Sequence, residues 1–121
     1  MSIKRLLKSF QDAVRGIVYV FKHEQNFRIK ITIGILVIVL ALLFKVRRSE
    51  LLLLLLLVIS VLVLELLNSA VEKFADVLKP RLSFQIEVIK DIMAAVVLVA
   101  SFGATFIGLI IFWPYLFALV V

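Results

Sequence analysis

Apolar and polar positions alternate with four different rhythms along the chain. Between residues 2 and 24, Ile3, Leu6, Leu7, Phe10, Val14, Ile17, Val18 and Phe21 recur at steps of three and four. Lys4, Arg5, Lys8, Asp12, Arg15 and Lys22 occupy the other faces. This is the pattern of a basic amphipathic helix lying in a membrane interface. No continuous apolar run follows its positive charges, so it does not read as a signal peptide. Taken alone, it needs no role beyond anchoring.

Residues 26–46 form the first spanning candidate. Its apolar core, Ile31 to Phe44 with Thr32 and Gly34 inside, has fourteen residues, short of the ~20 that a spanning helix usually needs. Lys30 and Lys45 flank it and can snorkel, which makes a span feasible; a re-entrant segment is the alternative. A polar turn, Lys45 to Glu50, follows, with Ser49 the expected N-cap of the next helix. The second span, 51–77, opens with Leu51 to Leu64, where Ser60 is the only polar residue, and meets no Gly or Pro before Pro80. The third, 85–119, contains Ala94, Ala95, Ala100, Ser101, Gly103, Ala104 and Gly108, small residues that permit close helix packing. Trp113, Pro114 and Tyr115 suit the far interface. The expected fold class is an all-α membrane protein, one domain with an N-terminal amphipathic surface helix and three transmembrane helices.

Composition agrees with that class. Hydrophobic residues make up 64% of the 121 residues and the mean hydropathy is +1.22, too apolar for a soluble domain of this length. Cysteine is absent, which excludes disulfides, cysteine zinc sites and thiol catalysis. The net charge of +6 sits beside membrane helices, so anionic lipid and phosphate groups fit it better than nucleic acid. With the N-terminus inside, eleven Lys and Arg fall on the cytoplasmic side, and only Lys45, Arg47 and Arg48 fall outside. That bias orients the protein and places Glu72, Asp76, Lys90 and Asp91 at the cytoplasmic surface, where ATP is.

The informative departure is on the second span. Glu65, Asn68, Glu72 and Asp76 lie at i, i+3, i+7 and i+11, so they share one face of a helix. Ionisable groups in a bilayer cost several kcal/mol and are functional candidates by default. Glu65 lies about 10 Å deeper than Glu72 at 1.5 Å per residue. Its apolar setting suits a general base, with Asn68 one turn away to orient it or to bond an acceptor hydroxyl. Glu24 at the end of the surface helix, together with Glu72, supplies carboxylates from separate segments. Mg²⁺ needs one or two of these when substrate phosphates complete its shell. Lys90 can meet a phosphate as a point charge, next to Asp91 at the start of the third span and near Lys79, Pro80 and Arg81. The glycines are too scattered to build a phosphate-cradling loop, so a nucleotide has to be held by metal and side chains, which phosphoryl transfer permits.

Each group also has a structural reading. Glu65 could serve helix–helix hydrogen bonding, Glu72 and Asp76 could mark a solvated helix end beside Lys73, and Asp91 could answer a helix dipole. His23 reads as a solvated or capping residue. None of these readings explains the shared stripe.

The block Glu65-Leu-Leu-Asn68-Ser69-Ala70-Val71-Glu72, with Asp76 four residues on, resembles the signature of the prokaryotic diacylglycerol kinase family, which includes undecaprenol kinases. The likeness extends to His23-Glu24-x-x-Phe27-Arg28 and to Lys90-Asp91, and so covers nearly the whole chain. It implies a homotrimer with active sites shared between protomers. It also implies Glu65 as the general base, Glu24 and Glu72 as metal ligands, and Asp76, Lys90 and Asp91 in the nucleotide site. Asn68 then sits beside the base, and Arg5 and Arg28 match basic positions near the lipid. Ala75, Met93 and Glu87 depart from the family's usual residues, the last two near the nucleotide. The tail from Gly108 to Pro114 is closer to the undecaprenol kinases.

The expected activity is transfer of the γ-phosphate of ATP to a lipid alcohol, diacylglycerol or undecaprenol. The alternative from another class is a small proton-coupled transporter with Glu65 as its carrier acid. A carrier has no use for a second acidic tier at the cytoplasmic surface. A catalytically dead membrane scaffold has no use for the intact acidic set.

Overall fold

The computed structural model of the chain describes residues 2–78 and 83–121. Among the described residues there are four helices and no strand: α1 Ile3–His23, α2 Gln25–Leu43, α3 Arg48–Leu78 and α4 Ser83–Val120. The all-α expectation holds, and α2, α3 and α4 are each long and apolar enough to cross a membrane. Lys79, Pro80 and Arg81, expected beside the nucleotide, lie outside the described residues.

Ser2 caps α1, its Oγ accepting from the Arg5 backbone N–H at 3.2 Å, and Lys22 and His23 sit in the last turn, where the helix dipole favours positive charge. His23 does cap: its Nδ1 donates to the Tyr19 carbonyl at 2.8 Å, and its ring stacks on that of Tyr19. Val20 is the one residue of α1 that is buried. The apolar stripe from Ile3 to Phe21 stays exposed, as a helix resting on an interface requires. At the α1–α2 corner Glu24 adopts an extended conformation, and Arg28 crosses the corner, donating from Nη1 to the carbonyls of Phe21 at 2.6 Å and Lys22 at 3.0 Å. Those carbonyls belong to the last turn of α1, which has no partners of its own.

The α2–α3 turn closes by a Schellman motif. Lys45 takes φ 53°, its N–H donates to the Leu42 carbonyl at 3.3 Å, and the N–H of Val46 donates to that of Ala41 at 3.2 Å. Glycine normally fills the left-handed position; here a lysine does. The next helix begins at Arg48, so Ser49 lies inside its first turn and is not its cap. Glu50 closes that turn instead, accepting from the Arg47 backbone N–H at 3.1 Å in the manner of the reciprocal half of a capping box. The same Glu50 oxygen accepts from the Tyr115 hydroxyl at 2.5 Å, tying the end of α4 to the start of α3.

α3 is the hub, touching α1, α2 and α4. Ala41, Leu54, Ile111 and Phe112 form the buried core, with Val37, Phe44 and Ile107 packed around it. This core lies toward the α2–α3 turn, away from the polar stripe. In lipid such a cluster is held by close packing rather than by expulsion of water. The tightest approach is at Gly34, where an added Cβ would come within 2.7 Å of Val58 Cγ1. Gly103 and Gly108, expected to serve close packing, have open space at that position within this chain. Thr32 and Thr105 satisfy their hydroxyls on the carbonyls four residues back, at 2.9 and 2.8 Å, which suits polar side chains in apolar surroundings.

Because Lys45 holds a left-handed conformation costing a non-glycine residue about 1 kcal/mol or more, Lys45→Gly should stabilise the protein by up to about 1 kcal/mol. Thermal unfolding in one detergent, wild type against variant, checks it. A lower melting temperature would mean that the lysine side chain outweighs its backbone strain.

Candidate active site

The polar stripe of α3 faces different neighbours at each level. At its deep end Glu65 is 3% exposed, and its Oε2 accepts from Lys30 Nζ of α2 at 2.7 Å. The lysine was expected only to flank a span; it is instead the counter-ion of the buried carboxylate. One turn on, Asn68 Nδ2 donates to Glu72 Oε1 at 3.4 Å, leaving the other Glu72 oxygen outside that contact. At the surface end Asp76 Oδ1 pairs with Lys90 Nζ of α4 at 3.5 Å. The stripe therefore faces α2 at depth and α4 at the surface. That change of neighbour lets one helix face serve two tasks.

Glu24 approaches from the α1–α2 corner. It occupies the N-cap position of α2, yet its side chain makes no capping hydrogen bond, so its carboxylate is left for another partner. Its charge acts on Lys73 of α3, as does that of Asp76, which puts Glu24 in the electrostatic field of the polar end of α3. The Lys73 ammonium lies over the Tyr19 ring, 5.3 Å from its centroid. Beside it a groove of about 660 Å³ runs between α1 and α3, lined by Arg15, Tyr19, Leu66 and the buried Ser69.

A second groove, of about 420 Å³, leads away from the Glu65 end. Lys30 lines it together with Gly34, Val37, Val61, Ser101 and Phe112. Nearly all of its wall is apolar. Among the described residues, Ser101 Oγ is the one buried side-chain polar atom with no hydrogen-bond partner, and it belongs to a residue of this wall. The ion pair and the apolar groove are thus adjacent, which is the arrangement that a molecule with a polar head and a long apolar tail requires.

The remaining expected site residues are placed differently. Arg28, matched to a position near the lipid, is engaged with the last carbonyls of α1. Arg5 lies in the exposed first turns of α1, where its backbone N–H meets the Ser2 cap. Asp91 is exposed next to Lys90. Among the described residues no group of three or more His, Asp or Glu gathers to hold a metal by itself.

Two contacts were missed by the sequence reading for different reasons. Lys30 was legible in principle. It lies six residues beyond Glu24 on α2, and Glu65 seven residues before Glu72 on α3, rises of about 9 and 10 Å at 1.5 Å per residue. In antiparallel neighbours those steps lead to one depth. The Tyr115–Glu50 bond links residues 65 apart in the chain, and neither residue type hinted at the other.

The family model described as prokaryotic diacylglycerol kinase matches residues 11–112. The chain belongs to that family. It is similar to a diacylglycerol kinase from Synechocystis sp., with 34% identity over 117 residues, covering 96% of this chain and 67% of the relative. The lipid kinase reading therefore stands, and nothing in the family favours a proton-coupled carrier.

If Arg28 acts mainly by holding the α1–α2 corner, Arg28→Ala should cost about 1–3 kcal/mol, the usual range for hydrogen bonds involving a charged partner. The KM for lipid in the surviving folded fraction should change less than threefold. Unfolding and lipid titration on one preparation separate the two. A large KM increase at unchanged stability would return Arg28 to the lipid site.

Proposed function

We propose that this lipid kinase transfers the γ-phosphate of ATP to the hydroxyl of a membrane lipid alcohol, with Glu65 as general base. The observation that carries the reading is the placement of Glu65: a carboxylate 3% exposed, paired with Lys30, which in turn lines an apolar groove. The acceptor's tail lies in that groove and its hydroxyl at Glu65. The hydroxyl oxygen attacks the γ-phosphorus and its proton passes to the carboxylate. Asn68, bonded to Glu72, is the substrate-side residue between the base and the phosphate level.

Glu24, Glu72, Asp76, Lys90 and Asp91 form the nucleotide level of this reading. Lys90 is held by Asp76 and offers its ammonium to phosphate oxygens. The donor chemistry fits Mg²⁺: two carboxylates from separate segments, one of them free of capping duty, with nucleotide phosphates as the remaining ligands. Glu24 and Glu72 would hold the ion, whose contribution is neutralisation of charge on the phosphate oxygens. Arg5 is kept as a basic contact for the lipid surface. The reading carries with it a homotrimer with shared sites and a cytoplasmic-membrane protein with its N-terminus inside, for which the eleven-to-three split of basic residues is the support.

Diacylglycerol, the substrate in the name of the Synechocystis relative, and undecaprenol both have the required hydroxyl and apolar tail. A side-by-side assay of radiolabelled phosphate transfer from ATP into chloroform-extractable lipid chooses between them, and no transfer to either would overturn the reading.

Two substitutions test the residues. Glu65→Gln keeps size and hydrogen bonding but removes the proton acceptor. Loss of a general base typically costs ~10²–10⁴-fold, so kcat should fall by that order while ATP affinity changes little; retained turnover removes Glu65 as the base. Glu72→Gln should instead raise the Mg²⁺ and ATP concentrations needed for half-maximal rate by about tenfold or more, since Mg²⁺ is bound through so few carboxylates. Normal activity at ordinary Mg²⁺ would sink the metal assignment.

A further inference from the structure

Glu65 and Lys30 form a cross-helix charge pair beside an apolar groove, and the reaction changes the charge of only one of them. The carboxylate takes up a proton and becomes neutral. The ammonium, with a side chain 22% exposed against 4% for its partner, is left without its counter-charge at the moment a phosphate forms beside it. The other charged groups are already engaged or distant. On α3, Glu72 is about 10 Å along the helix from Glu65 at 1.5 Å per residue, and Asp76 is held by Lys90 of α4. Glu87 and Asp91 share the first turns of α4 with Lys90, far from the Ser101 level that lines the groove. On α2, Arg28 is bonded to carbonyls of α1. On α1, Asp12 pairs with Arg15 at 3.5 Å, and Glu24, at the α1–α2 corner, lies six residues before Lys30, about 9 Å at 1.5 Å per residue.

Resting on the reading of Glu65 as base, we propose that Lys30 is its positioning residue and, after phosphoryl transfer, the counter-ion of the new lipid phosphate. Before transfer the ammonium fixes Glu65 through Oε2 and keeps it ionised in apolar surroundings, with Oε1 left as the proton acceptor. In the step itself the lipid oxygen bonds to the γ-phosphorus. The bond from that phosphorus to the oxygen bridging it to the β-phosphorus breaks, and its electron pair leaves with ADP. The hydroxyl proton ends on Glu65. Lys30 keeps its own proton throughout, and its partner changes from carboxylate to phosphate monoester. Release of product then requires Glu65 to lose its proton and reclaim the ammonium, which couples the resetting of the base to departure of the phosphorylated lipid.

The test compares wild type, Lys30→Arg and Lys30→Gln as assembled full-length protein in lipid vesicles, with whichever lipid alcohol the wild type turns over. Lys30→Gln should move the acid limb of the kcat–pH profile upward by about one unit, a tenfold slower rate at the acid end. It should also weaken inhibition by the phosphorylated lipid about tenfold. Lys30→Arg should restore the wild-type profile. Coincident profiles for Lys30→Gln and wild type, or equal displacement in the Arg and Gln variants, would overturn the proposal, since the second outcome assigns the effect to shape. The infrared band of the Glu65 carboxyl, identified by its loss in Glu65→Gln, reads the pair without turnover. Its change from carboxylate to protonated acid should come about one pH unit higher in Lys30→Gln than in wild type; the same midpoint in both overturns the counter-ion role. That reading stands even if the activity assay fails and takes the base assignment with it. Should Lys30→Gln not assemble, the double variant Lys30→Gln/Glu65→Gln decides: recovered assembly supports a charge pair, and continued failure overturns it.

Discussion

An ionised carboxylate inside a helix bundle in lipid must find a positive partner, because neither water nor a polar solvent is there to solvate it. The 2.7 Å contact between Lys30 and Glu65 answers that constraint, and the surrounding structure follows from it. It requires α2 and α3 to run antiparallel with one depth in register. It requires their backbones to come close, and Gly34, with Val58 against its missing side chain, lies one helical turn beyond Lys30. Removing one partner of such a buried pair typically costs about 3–5 kcal/mol, so the pair ties helix register to the chemistry proposed for Glu65.

The two ends of the bundle are built for different purposes. At the α2–α3 turn, a Schellman motif, a capping carboxylate and the Tyr115 hydroxyl converge on Glu50 and Arg47, above the core of Ala41, Leu54, Ile111 and Phe112. Backbone groups there are satisfied and apolar contacts are dense. Among the described residues, the contacts singled out at the α1 end are polar: Lys90 with Asp76 and Lys73 over Tyr19, with Glu24 making no capping bond.

The helical order of the polar groups also separates two environments, which the proposed function assigns to its two substrates. Along α3 the residues run from a buried carboxylate beside an apolar groove to an exposed one beside a lysine. A lipid hydroxyl belongs at the first level and a charged nucleotide at the second. About 10 Å of helix lies between Glu65 and Glu72 at 1.5 Å per residue, a distance that an extended phosphate chain can bridge. In the proposed reading, transfer takes place where the two environments meet.

The chain's own pattern determined the helices, because periodicity and span length are local properties: two long apolar segments, a shorter one flanked by Lys30 and Lys45, and one basic amphipathic segment point to an all-α membrane protein. It also determined that Glu65, Asn68, Glu72 and Asp76 share a face, since helical spacing alone fixes that. Which neighbour each of them meets was decided only by tertiary structure. Lys30 read as a snorkelling flank because a single helix does not say which way a long side chain turns; packing against α3 turned it inward to Glu65. The family resemblance put Arg28 near the lipid, and only the tertiary structure showed that its guanidinium also meets the carbonyls of Phe21 and Lys22 at the end of α1. Ser49 read as a cap because its side chain suits one, but Glu50, drawn to both the Arg47 N–H and the distant Tyr115 hydroxyl, goes with a helix that starts two residues earlier, at Arg48. In each case the sequence named the chemical group, and the choice among partners depended on distances between segments that no local pattern encodes.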